Sequence, residues 1–150
     1  MRRSLAIALA LATLATSFPG CGGQSIPQVG TNMAPPHGGA LFSLDGGRGM
    51  VEFLNEVKGE GRPADSRLVV YFLSPDGVAS LAPAPTDVSA TLISTGRPKA
   101  VKLVAEPQAD DARGAARFAS AVGRYGDSEV EGVLEATVGG ERSKIQFLVR

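Results

Sequence analysis

Residues Glu131 to Arg150 constrain the fold more than any other stretch, because apolar and polar side chains alternate through two runs joined by Gly139-Gly140. A period of two places successive side chains on opposite faces of a strand. Two glycines between such runs supply the positive φ angles of a two-residue hairpin turn. The register that sets Leu134 against Ile145 and Ala136 against Ser143 also puts Val138 and Phe147 on that face. The other face then pairs Glu135 with Lys144 and Thr137 with Arg142. One register thus gives an apolar inner face and complementary charges outside, and a slip of one residue inverts both.

The same logic organises the chain upstream. Ala40 to Leu44 and Arg48 to Val57 flank Gly46-Gly47, and the favoured register pairs Phe42 with Val51, Ala40 with Phe53 and Asp45 with Arg48. Arg67 to Leu73 is apolar on both faces and therefore reads as a central strand. Ser74-Pro75-Asp76-Gly77 has the residue order of a type I turn. Further strands are expected at Asp87 to Ser94, Ala100 to Glu106 and Ala115 to Ser120, with Ala82 to Pro85 as a crossing loop. No stretch after the N-terminal region carries a helical stripe, and Ala109 to Ala116 has room for one turn. The expected fold is all-β: a two-sheet antiparallel β-sandwich, immunoglobulin-like or related, of seven or eight strands. With no Trp, two Tyr and six Phe, its core is mostly aliphatic.

The N-terminus has a different character. Arg2 and Arg3 precede an apolar run from Leu5 to Phe18, too short to stay in a bilayer as a helix, which needs roughly 20 residues. This is the layout of a secretory signal. Gly20 before Cys21, followed by Gly22-Gly23, resembles the lipobox of bacterial lipoproteins, in which the cysteine becomes a lipidated N-terminus. Phe18 and Pro19 depart from the aliphatic and small residues of that pattern. Ala15-Thr16-Ser17 offers a second cleavage point, after Ser17, which leaves Cys21 as a free thiol. An unpaired thiol is a liability in an oxidising compartment, which favours lipidation. The expected organisation is a signal peptide over residues 1–20, a lipidated Cys21 with a Gly/Pro-rich tether over 21–36, and a β-sandwich domain over 37–150. Gly22 to Pro36 carries no charge, as suits a spacer.

Composition excludes several function classes. Arg2 and Arg3 leave with the signal, so the balanced 15 basic and 15 acidic side chains of the whole chain become slightly acidic, with no basic cluster for nucleic acid. The sequence holds no phosphate loop and no dinucleotide fingerprint, so no nucleotide and no cofactor is implied. One histidine and one cysteine exclude a Cys-His pair and a multi-histidine zinc centre, and no nucleophile-elbow motif stands near His37. Asp110-Asp111 reads as a solvated turn. No enzymatic activity is expected, and no catalytic residue is assigned.

His37 is the one side chain that draws a chemical hypothesis. Extending the first hairpin register upstream sets it opposite Glu56, on the strand face that carries Glu52, where one imidazole and two carboxylates offer a loose divalent-metal site or a pH-sensitive ion pair. The alternative is that His37 caps the strand entrance while both glutamates point to water.

Pro36-His37-Gly38-Gly39, Met50-Val51-Glu52-Phe53 and Val70-Tyr71-Phe72-Leu73-Ser74-Pro75-Asp76-Gly77, together with the signal and tether, resemble a set of small bacterial lipoproteins with a His-Gly-Gly start. The signal and the resemblance together imply a cell-envelope, membrane-anchored lipoprotein facing the periplasm or exterior and held by its N-terminal lipid, and the partner expected for a binding module there is another envelope protein. Related His-Gly-Gly domains occur in periplasmic proteins linked to metal efflux, which implies, as the alternative, a metal-binding accessory using His37. The expected role is that of a non-enzymatic binding or structural module.

Overall fold

The computed structural model describes residues 33–57, 65–94, 97–111, 114–125 and 129–149. The signal segment 1–20, both candidate cleavage points, Cys21 and the tether as far as residue 32 lie outside the described residues.

The described chain forms nine strands: β1 (Ala40–Ser43), β2 (Met50–Val57), β3 (Ser66–Leu73), β4 (Thr86–Ser94), β5 (Arg97–Val101), β6 (Leu103–Ala105), β7 (Arg117–Ser120), β8 (Val130–Val138) and β9 (Glu141–Val149). They make a five-stranded sheet, ordered β1-β2-β3-β7-β6, and a four-stranded sheet, ordered β5-β4-β8-β9. Every pairing is antiparallel. Leaving β1 aside, the order β2-β3-β7-β6 over β5-β4-β8-β9 is that of the A-B-E-D and C′-C-F-G sheets of an immunoglobulin-like sandwich. The strand β1 is an addition on one edge.

The core forms where the inner faces of the two sheets meet. Phe53 of β2 stacks on Phe147 of β9 with ring centroids 4.1 Å apart, and Phe42 meets Phe53 edge-on at 5.4 Å. Phe72 and Phe118 make a second edge-on pair at 5.7 Å. Leu68, Val70, Leu92, Leu134, Ile145 and their neighbours fill the space between with aliphatic groups. The C-terminal hairpin has the register expected from its sequence: Leu134 pairs with Ile145, Glu135 with Lys144, Ala136 with Ser143 and Thr137 with Arg142. The first hairpin likewise pairs Ala40 with Phe53 and Phe42 with Val51. β3 is central, as its two apolar faces require, and Gly77 N donates to Ser74 O at 2.8 Å to close the turn after it.

Two local expectations are corrected. Ala100 to Glu106 is not one strand: the chain changes sheets at Lys102, so Val101 enters the core from the four-stranded sheet and Leu103 from the five-stranded one. Both are buried while Lys102 is exposed, so an unbroken alternation of side chains conceals the crossover. The described part of Ala109 to Ala116 holds no helical turn; the only helical element among the described residues is the short 3-10 turn Asp45–Gly47 inside the first hairpin.

Arg48, in that hairpin connection, reaches the opposite sheet. Its guanidinium donates to Ser143 Oγ at 3.1 Å and pairs with Glu141, stitching the tips of the two hairpins together.

Before β1, residues 33–39 run as a strap over the outer face of the five-stranded sheet. Gly38, at φ +81°, turns the chain off the sheet edge, and its N–H donates to Pro35 O at 3.1 Å. Met33, Ala34 and Pro36 lie against Asp76, Gly77 and Val78 of the turn after β3. Met33 approaches so closely that a Cβ on Gly77 would sit 2.8 Å from its Cε. The strap explains why Met50 and Leu73, which alternate onto the outer face, are nonetheless buried.

Candidate functional site

The outer face of the five-stranded sheet carries a connected set of polar side chains, several of them buried or partly buried. Strand alternation places Glu52 and Glu56 of β2, Arg67 and Tyr71 of β3, and Arg117 of β7 on this face. Register brings Glu52 beside Tyr71, Tyr71 beside Arg117, and Glu56 beside Arg67.

Glu52 is fully buried. A carboxylate withdrawn from water is tolerated only when hydrogen-bond donors replace its hydration. The strap supplies them: His37 N donates to Oε1 at 3.0 Å, Gly39 N donates to Oε1 at 2.8 Å, and His37 Nδ1 lies 2.8 Å from Oε2. Facing a carboxylate, Nδ1 is the ring nitrogen that carries the proton. The imidazole also stacks on Tyr71, with centroids 3.7 Å apart and planes inclined by 5°. Glu52 and Tyr71 therefore clasp the strap at His37 through a buried acceptor and an aromatic face. Gly39 cannot be replaced without disruption, since a Cβ there would lie 2.2 Å from Phe53 O.

Beside the clasp, four charges close into a ring. Arg67 pairs with Glu56 and, at 2.6 Å, with Glu106; Arg117 pairs with Glu106 and, at 3.4 Å, with Glu56. Arg117 Nε also donates to Tyr71 Oη at 3.1 Å, and its guanidinium carbon lies 5.5 Å from the Tyr71 ring centroid. The ring joins β2, β3 and β7 to Glu106 at the end of β6, and Val69 and Ala119 are buried on the same face. Each guanidinium spans two carboxylates with its planar fork of donors, a fixed geometry that the compact ammonium of Lys does not reproduce.

Asp111 closes the loop between β6 and β7. Burial alone would raise its carboxyl, but the amides of Gln108 and Ala116 and the hydroxyl of Ser80 outweigh that effect and hold it below the ordinary carboxylate value. Asp76 is likewise lowered, chiefly by the Ser74 hydroxyl and then by the Val78 amide within the turn.

The sequence-derived trio therefore separates. His37 and Glu52 meet, but Glu56 belongs to the arginine ring and is not opposite His37. The upstream extension of the register fails because β1 begins at Ala40 and the chain leaves the sheet at Gly38. The alternative, with both glutamates in water, is corrected for Glu52, whose side chain is 0% exposed, while Glu56 retains 32% exposure. Among the described residues, no three His, Cys, Asp or Glu side chains are grouped to hold a metal ion. Tyr71 enters the sequence reading only as part of the resemblance motif, and Arg67, Glu106 and Arg117 carry no functional expectation there, although Arg67 and Arg117 stand within apolar strand segments. Cys21 lies outside the described residues.

No protein-family model matches the chain, and neither a curated protein nor a solved structure matches it.

Proposed function

We propose that this chain is an exported β-sandwich module, held at a membrane by a lipid on Cys21, that acts in the cell envelope by binding or structural support and not by catalysis. The observation that carries this is the clasp. Where the N-terminal segment joins the domain it is fastened by Glu52, which takes Nδ1 of His37, and by Tyr71, on which the ring stacks, while Arg117 holds Tyr71 in turn and pairs with Glu106 and Glu56. These contacts support a mechanical reading, in which the cluster fastens the segment that leads to the anchor. The signal-like N-terminus and the single cysteine supply the other half of the proposal.

Expression of the full chain in an exporting bacterium tests it. The protein should sediment with membranes, and Cys21→Ser should move it to the soluble periplasmic fraction. A wild-type chain found in the soluble fraction contradicts the anchor.

A further inference from the structure

β1 covers only half of its neighbour. It pairs with Met50 to Phe53, and among the described residues no strand pairs with Leu54 to Val57 on that side. Successive residues of an antiparallel strand aim their N–H and C=O groups alternately at the two neighbours. Leu44 N donates to Gly49 O, which fixes the odd-numbered residues of this strand as those facing β1. The main-chain groups of Asn55 and Val57 therefore point at the open edge.

β1 is prevented from extending to meet them. Pro36 has no N–H, the Gly38 N–H is bonded to Pro35 O, and Gly38 steers the chain over the outer face. Beside the open edge lies a groove of about 520 Å³, walled by Gly38, Gly39, Leu54, Asn55, Leu148 and Val149. Asn55, one of its walls, has an Oδ1 that is buried with no hydrogen-bond partner among the described residues, and such orphaned acceptors are rare. Along this edge Glu56 is turned to the arginine ring and Val57 is half exposed, while Lys58 follows directly in the sequence.

We infer that Leu54–Val57 is a strand-addition site, at which an extended peptide segment of another protein pairs with Asn55 and Val57 and sets side chains into the groove beside Leu148 and Val149. The inference deepens the proposed binding role and names the surface that performs it. An extended segment fits better than a second copy of this chain. Four residues span about 13 Å, an edge long enough to pair with a short extended segment but too short to bury by itself the roughly 1,200–2,000 Å² of a stable dimer. Main-chain pairing supplies affinity and the alternate side chains supply selectivity.

The test is selection of displayed linear random peptides against the purified full-length chain. Enriched peptides should lose about tenfold or more in affinity to Val57→Pro, which deletes an edge-facing N–H without removing a bond to β3, and none to Val122→Ser, an exposed change elsewhere. Because Val57→Pro perturbs the strand end, a second measurement leaves the protein intact: N-methylation walked along the peptide should abolish binding at every second residue. Failure to enrich any peptide, or binding indifferent to both perturbations, overturns the inference. Concentration-dependent dimerisation abolished by Val57→Pro also overturns it, because it assigns the edge to self-association. A chain that fails to attach to membranes yet shows the period-two pattern sinks the anchor and leaves this site standing.

Discussion

Replacing Glu52 with Ala should release the strap while leaving the sandwich folded. The carboxylate accepts from His37 N at 3.0 Å, Gly39 N at 2.8 Å and His37 Nδ1 at 2.8 Å. A hydrogen bond to a charged group contributes about 1.5–3 kcal/mol, but these three share one acceptor, and a freed strap regains water, so the loss falls below their sum. About 3–4 kcal/mol of the free energy of strap opening should disappear. At about 1.4 kcal/mol per decade, the Gly39 amide should exchange its hydrogen about two to three orders of magnitude faster, measured residue by residue by NMR. Glu52→Gln should fall between, because its Oε1 still accepts from both main-chain donors while its Nε2 meets Nδ1. The amides of Val51 and Phe53, whose hydrogen bonds tie β2 to β1, should change little. Equal acceleration at Gly39, Val51 and Phe53 would mean that Glu52 supports the sheet and not the strap, and an unchanged Gly39 would refute the clasp.

Three further outcomes follow from the packing. Ile145→Ala should cost about 2–5 kcal/mol in urea denaturation, because Ile145 faces Leu134 in the core, while Lys144→Glu, on the solvent face beside Glu135, should cost a few tenths to about 1 kcal/mol; the reverse order would invert the hairpin. Glu106→Ala removes one corner of the charge ring and should cost about 1–3 kcal/mol, but less in an Arg67→Met background, since the two side chains interact; strict additivity would show that the ring is not coupled. Asp111 has a folded-state value below its ordinary 3.8, so its contribution is complete above that value and is lost as pH falls through the lower one. The stability difference between wild type and Asp111→Asn should accordingly be flat at neutral pH and shrink below about pH 4, and a difference that grows there would contradict the direction of the shift.

The elements legible in the sequence are those whose partners are close along the chain. Gly139-Gly140 and the alternation around it define both strands of the last hairpin and their register together, and the same holds for β1 and β2. The clasp was legible only in part. Alternation correctly assigns Glu52 to the outer face, but an outer face is solvent-exposed only if nothing crosses it, and the strap that crosses this one is a prolyl segment with no periodicity to read. Extrapolating the hairpin register past Ala40 assumed a straight strand, whereas the positive φ of Gly38 turns the chain away. The charge ring depends on β7 lying between β3 and β6, a non-local pairing that no window of the sequence contains. Lys102 hides the change of sheet for the opposite reason, since the alternation continues unbroken through it.

The intact mass of the mature protein recovered from bacterial membranes tests the central proposal most directly. A lipid-anchored module should begin at Cys21 and carry added acyl mass, and Cys21→Ser should lack both the added mass and the membrane association. A mature chain that begins at Phe18 with an unmodified Cys21 would contradict the anchor, and with it the placement of this sandwich at the membrane surface.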